Sequence, residues 1–207
     1  MNRAIIKQEA IETIKGNRLS FWGASICIGA ITFAISLVSG LFSKILGGGL
    51  FGVLIGAVFS VISFVVSTTL TLGLIKMMKD LMDGESIKFT DVFSCFDLAV
   101  KASWMQVLMS VKIFLWSLLL VVPGIIAAYR YAMAQYILLD NPELTASQCI
   151  NASKEMMNGY KVDLFVFGLS FIGWGLLCGI TLGIASIWVA PFMAAAMANF
   201  YIHLRDN

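Results

Sequence analysis

From residue 162 to residue 204 the chain runs through apolar side chains almost without interruption, in two stretches, 162–182 and 184–204, separated by a single short turn. Each stretch matches the roughly 20 residues that a helix needs to cross about 30 Å of hydrocarbon at about 1.5 Å of rise per residue. A backbone in lipid must satisfy its own hydrogen bonds. The runs are continuous rather than alternating, so helices are implied and not a barrel. Ahead of them lie a polar, helix-prone segment, 145–158, and the joint Gly159-Tyr160-Lys161. The unit reads as an interfacial helix feeding a transmembrane hairpin.

The rest of the chain reads as two looser copies of that unit. Residues 3–15 have Ile6, Ala10 and Ile14 at four-residue spacing beside Ile11, an amphipathic pattern that ends at Gly16-Asn17-Arg18. Apolar runs at 19–43 and 50–75 follow, with Lys44 and Gly47-Gly48-Gly49 as the turn. The polar stretch 76–103 contains a short helix with Thr90 as its cap and Asp91 at its N-terminus. On an α-helical period, Val92, Phe93, Phe96 and Val100 share one face of that helix. Runs at 104–122 and 125–139 follow, and Pro123-Gly124 is read as the helix break between them. Thr145 and Gln148 form a capping box, which starts a third surface helix with Cys149, Ile150, Ser153 and Met157 on its less polar face. The fold expected is therefore all-α: a polytopic membrane protein with six transmembrane helices as three hairpins, each preceded by an interfacial amphipathic helix. It forms one integral membrane domain, 1–207, made of units 1–75, 76–139 and 140–207.

Composition agrees. The chain is 59% hydrophobic and 13% charged, where soluble domains carry about a quarter charged residues. A net charge of +2 is too small to suggest nucleic acid. The first apolar run is too long for a cleavable signal and is read as a span that stays in place. With the N-terminus inside, the segments on that side hold eleven cations from Arg3 to Arg205, and the outer turns hold Lys44 alone. A five-span alternative, with 104–139 as one long kinked helix, would place Lys154, Lys161 and Arg205 outside and weaken that bias.

Two cations, Lys112 and Arg130, fall inside apolar runs, where charge is costly and marks a functional candidate. Lys112 is close enough to the end of its span for its stem to snorkel. Arg130, between Tyr129 and Tyr131, has two readings: it bonds backbone carbonyls freed by Pro123, or its guanidinium fork binds an anion such as a lipid phosphate. Pro191 is expected to kink the last span. Gly52 and Gly56, and Gly175, Gly179 and Gly183, recur at four-residue intervals that let helices approach closely, within the chain or between copies of it. Cys27, Cys95, Cys149 and Cys178 are isolated and read as small packing residues. His203 is the single histidine. No catalytic motif, cofactor site or metal site is found.

The segments PGIIAAYRYAMAQYILLDNPEL, SKEMMNGYKVDLFVFGLSFIGWGLL and TLGIASIWVAPFMAAAMANFY, with DGESIKF…DVF earlier, resemble the bacterial domain-of-unknown-function 975 family of integral membrane proteins. That resemblance implies a multi-pass protein of a bacterial plasma membrane and carries no activity, cofactor or catalytic residue. The function expected is non-enzymatic: binding or organising membrane lipid, or supporting an envelope process, with both termini cytoplasmic and membrane lipid as the partner. The alternative is a small-solute transporter or channel, which the repetition, the Pro123-Gly124 break and Arg130 favour.

Overall fold

The computed structural model describes residues 8–9, 11–14, 16, 18–45, 49–183 and 185–206. Ile6, Ala10, Lys15, Asn17, the Gly47-Gly48 turn and Ile184 lie outside the described residues. The described residues form helices joined by turns, with no strand among them. In order they are α1 (Arg18–Ile45), α2 (Leu50–Met82), a 3-10 helix (Phe89–Leu98), α3 (Ala99–Leu119), α4 (Val121–Tyr131), α5 (Ala134–Asp140), α6 (Ala146–Met156), α7 (Lys161–Leu169), α8 (Ile172–Ile180) and α9 (Ser186–Arg205). Five helical stretches are long and apolar enough to cross a membrane: Leu19–Phe42, Phe51–Met82, Phe89–Leu119, Lys161–Ile180 and Ser186–Arg205. The eleven-residue α4 is too short to be one of them.

Residues 104–139 double back. The reversal is at Leu120, whose backbone is extended (φ −163°, ψ 148°), not at Pro123-Gly124 as the sequence suggested. Pro123 sits in the first turn of α4, where a backbone N–H has no acceptor within the helix, so the proline interrupts nothing. Gly124 is needed for contact instead: a Cβ there would lie 2.0 Å from Ser117 Oγ and 2.9 Å from its Cα. Further down the pair, Gln135 Nε2 donates to Gln106 Oε1 at 3.1 Å. These two contacts fix α3 and the α4–α5 segment as antiparallel neighbours in one register.

The second surface helix also differs from expectation. It is a 3-10 helix, with a period of three residues, so positions three apart share a face. Val92 and Cys95 are buried against α2, while Phe93 and Phe96 stack on each other in the open, with ring centres 6.3 Å apart. Gly73 admits this close approach, since a Cβ there would be 2.0 Å from the Val92 carbonyl oxygen. Asp91 serves the N-terminus as expected, its carboxylate accepting the Lys88 N–H at 2.7 Å, but Lys88 and not Thr90 occupies the cap position.

The third surface helix, α6, starts where the sequence places it. Gln148 Oε1 accepts the Thr145 N–H at 2.8 Å, and the Thr145 hydroxyl accepts the Gln148 N–H at 3.4 Å. Cys149, Ile150, Ser153 and Met157 are all buried. They pack against α3, α4 and α5, so that face is spent on the protein and not on lipid.

The apolar run 162–182 is broken in two at Ser170-Phe171, and the chain turns again at Leu182 (φ 50°) and Gly183 (φ 89°). The α7–α8 segment pairs with α9 through Phe167–Phe200 and Phe171–Phe192, with ring centres 5.5 and 5.3 Å apart. The core is concentrated at one end of the molecule, in the C-terminal halves of α2 and α9 and in α5 and α6, where Leu70, Met77, Leu138, Ile150 and Phe200 are fully enclosed. Much of α1 and of the first half of α2 presents large aliphatic side chains outward, as a lipid-facing surface does.

Candidate functional site

At the packed end, the last turns of α2, α5 and α9 meet through their charges. Lys79 Nζ lies 2.7 Å from Asp140 Oδ1 and 3.6 Å from Asp83 Oδ2. Arg205 spans Asp83 with its two terminal nitrogens, at 3.0 and 3.4 Å, and approaches Asp140 at 3.8 Å. The Tyr201 hydroxyl donates to Asp140 Oδ2 at 2.6 Å, and the Tyr201 ring stacks on Tyr136 at 4.9 Å. Asp83 and Asp140 each face two cations, so neither carboxylate is left free for acid–base work. The chemistry of this cluster is that of a clamp. Burial pushes the Tyr136 hydroxyl well above the usual tyrosine range, which keeps it neutral.

The cations singled out from the sequence lie elsewhere. The register set by Gln106–Gln135 and Ser117–Gly124 puts Lys112 opposite Tyr129, at the level of Arg130. Both are half-buried, and neither makes an ion pair among the described residues. Arg130 Nε is enclosed without a hydrogen-bond partner. The reading in which Arg130 bonds carbonyls freed by Pro123 fails on position, since Arg130 is at the opposite end of α4. Its own carbonyl is the one that needs help, because the helix breaks just after it. Ser153 of α6 supplies that help: its hydroxyl donates to the Arg130 carbonyl at 2.8 Å and accepts the Met133 N–H at 3.2 Å.

A third cation stands at the same level. Between α4 and α7 runs a groove lined by Val122, Ile125, Ile126, Tyr129, Val162, Phe165 and the aliphatic stem of Lys161. Its walls are apolar, and the Tyr129 ring meets Phe165 edge-on at 5.9 Å. Lys161 makes no ion pair among the described residues. Asp163, two positions on, points about 200° around α7 from Lys161 and is not a lining residue.

Of the glycines expected to pack helices, Gly52 is buried, whereas a Cβ at Gly56, Gly175 or Gly179 would meet nothing within 4 Å. Gly183 serves a turn, through its positive φ. Pro191 lies inside α9 and withholds an N–H from the Ile187 carbonyl, and the Trp22 indole donates to that carbonyl at 3.0 Å. All four cysteines are free. Cys149 is enclosed, and burial raises its thiol above the ordinary range. Among the described residues no three His, Cys, Asp or Glu side chains come together as a metal site would need.

With the helices α3–α9 and the clamp described, comparison with known proteins bears on the same stretch. Residues 117–207 match DUF975, a protein family of unknown function. The chain resembles DUF975 from the end of α3 through α9, and the match takes in the Leu120 reversal, Arg130, Ser153, Lys161 and Arg205. The N-terminal helix and the DGESIKF…DVF loop, which the sequence also likens to the family, precede the part matched to DUF975. No curated protein and no solved structure matches the chain.

Sequence reasoning missed the clamp, the Gln106–Gln135 pair and the closing roles of Ser153 and Trp22. The clamp had a signal: Lys79 and Asp83, Asp140, and Arg205 stand at the ends of the second, fourth and sixth apolar runs with opposite charges.

Proposed function

We propose that this is a non-enzymatic, multi-pass protein of a bacterial plasma membrane that binds anionic phospholipid at the cytoplasmic leaflet. All three hairpins open toward the cytoplasm, with both termini on that side. The observation that carries the reading is Lys161, a cation without an ion-pair partner among the described residues, whose aliphatic stem lines an apolar groove. An acyl chain fits such walls by burial alone, and a phosphate beside the ammonium adds a charge-assisted contact. Lys112 and Arg130 stand at the same level and supply further positive potential.

Native mass spectrometry after purification from nanodiscs tests this. In a mixture of phosphatidylglycerol and phosphatidylcholine, the protein is expected to retain phosphatidylglycerol, and Lys161→Gln is expected to lower that retention several-fold. Equal retention of the two lipids by the unsubstituted protein would refute the reading.

A second reading, a small-solute transporter, gains support from one feature. Gln135 pairs with Gln106 on one side and on the other borders a cavity with Thr71, Tyr136 and Met197. Solute flux in liposomes that is abolished by Gln135→Leu would favour it.

A further inference from the structure

We propose that only the α1–α2 hairpin reaches the outer face of the membrane, and that the other two hairpins enter from the cytoplasmic side and end inside the hydrocarbon. The hairpins are staggered. The tip of the third lies beside the start of α1: the Trp22 indole bonds the Ile187 carbonyl at 3.0 Å, and Trp22 meets Trp188 edge-on at 6.0 Å. From Trp22, α1 runs on to Ile45, about 35 Å further along its axis. Measured from the clamp, α9 rises only about 28 Å from Arg205 to Ser186, against about 44 Å for α2 from Lys79 to Leu50, so the third tip stops about 15 Å short of the first. Both hairpins cannot therefore end at the outer surface.

The second hairpin is short in the same sense. Its base is fixed, since Lys101 donates to the Pro142 carbonyl next to the clamp. From Lys101 to Leu120 is about 28 Å, while from Lys79, in the clamp, to Leu50 is about 44 Å. Arg130 and Lys112 stand about 14 Å below the tip, close to half of the hydrocarbon thickness. With those cations at the phosphates, the tip sits near the midplane.

The tips themselves suit oil. No charged residue occurs between Lys112 and Arg130, or between Asp163 and Arg205. Residues 118–122 are all aliphatic and 65–74% exposed, and Leu182 at the third tip is 94% exposed. The sequence at the end of α1 and before α2 instead carries Lys44 and three glycines. A reversal inside lipid must also close its own backbone hydrogen bonds. At the second tip Leu120 N–H donates to Trp116 and Gly124 N–H to Leu120, at 3.2 and 3.4 Å. At the third, Gly183 N–H donates to the Cys178 carbonyl at 2.8 Å, and the Thr181 hydroxyl accepts the Ala185 N–H at 3.1 Å. These turns place side-chain and backbone acceptors where a solvated loop would use water.

The inference shares with the proposed function the cytoplasmic side of the hairpin bases and the placement of Lys112 and Arg130 at the headgroups. Lipid retention and tip depth are separate readouts, so either can fail alone. The test uses single cysteines at Gly49, Leu120 and Leu182, with Cys27 and Cys178 replaced and the buried Cys95 and Cys149 kept as an unlabelled background. Applied outside intact cells, a membrane-impermeant maleimide is expected to label Gly49→Cys and to leave Leu120→Cys and Leu182→Cys unlabelled. Spin labels at the latter two are expected to show high accessibility to oxygen and low accessibility to a nickel chelate, as at mid-bilayer. Outside labelling of either tip, nickel accessibility equal to that at position 49, or failure of Gly49→Cys to label would overturn the proposal.

Discussion

Single side chains close gaps that the helices leave open. Ser153 satisfies a carbonyl and an N–H at the break between α4 and α5. Ser153→Ala is expected to destabilise the protein by about 1–3 kcal/mol, the usual cost of orphaned buried polar groups. Thermal unfolding in detergent would measure it. Trp22 and Pro191 form a coupled pair. Trp22→Phe is expected to cost about 1 kcal/mol. In a Pro191→Ala background the restored alanine N–H claims the Ile187 carbonyl, so that loss should shrink, as a double-mutant cycle would record. Tyr136 sets a pH limit. Its folded pKa is raised, so the folded state holds a proton that the unfolded state releases. Its contribution is complete below about pH 10 and declines as pH rises beyond that value. Stability measured from pH 8 to 11 should fall at the top of that range, and Tyr136→Phe should flatten the fall. None of these pairings could be read from the sequence, because each joins residues that only the fold brings together.

Whole elements were more legible, and their failures are instructive. Length and apolarity marked every long helix, and the Thr145–Gln148 box marked the start of α6. Faces were read correctly where the period was 3.6, as in α6, and incorrectly where it was 3.0, as at Phe93 and Phe96. Within the chain, Gly56, Gly175 and Gly179 meet no neighbour, since spacing alone does not say which face another helix of the chain covers. Gly73 and Gly124, outside any strip, are where close approach occurs. Gly124→Val is expected to force α3 and α4 apart and lower stability by about 1–3 kcal/mol or more. The clamp acts at this scale too. Its ion pairs are 13–36% exposed, and such pairs weaken in salt. Asp140→Asn is expected to loosen α5 against α2 and α9, read as faster amide exchange across residues 134–140, with a smaller difference from the unsubstituted protein at high salt.

At the scale of the molecule, charge and hydropathy locate the chain in a membrane but leave its depth open. All the apolar runs look alike to hydropathy, so a run that ends in mid-bilayer scans like one that crosses. Only contacts between hairpins set their relative height. The lack of any charge across residues 113–129 and 164–204 was the clue within the sequence, because a loop that emerges into water rarely goes without polar residues.

The tie between Trp22 and Ile187 can be put another way. Smooth apolar helices in oil have little to stop them sliding past one another, since every depth offers the same solvent. A proline in the body of α9 spoils one rung of its ladder and leaves one carbonyl unclaimed. That fault works as a notch. The indole of the first helix catches in it, and the register of the opening hairpin against the closing one is fixed by the position of the missing rung.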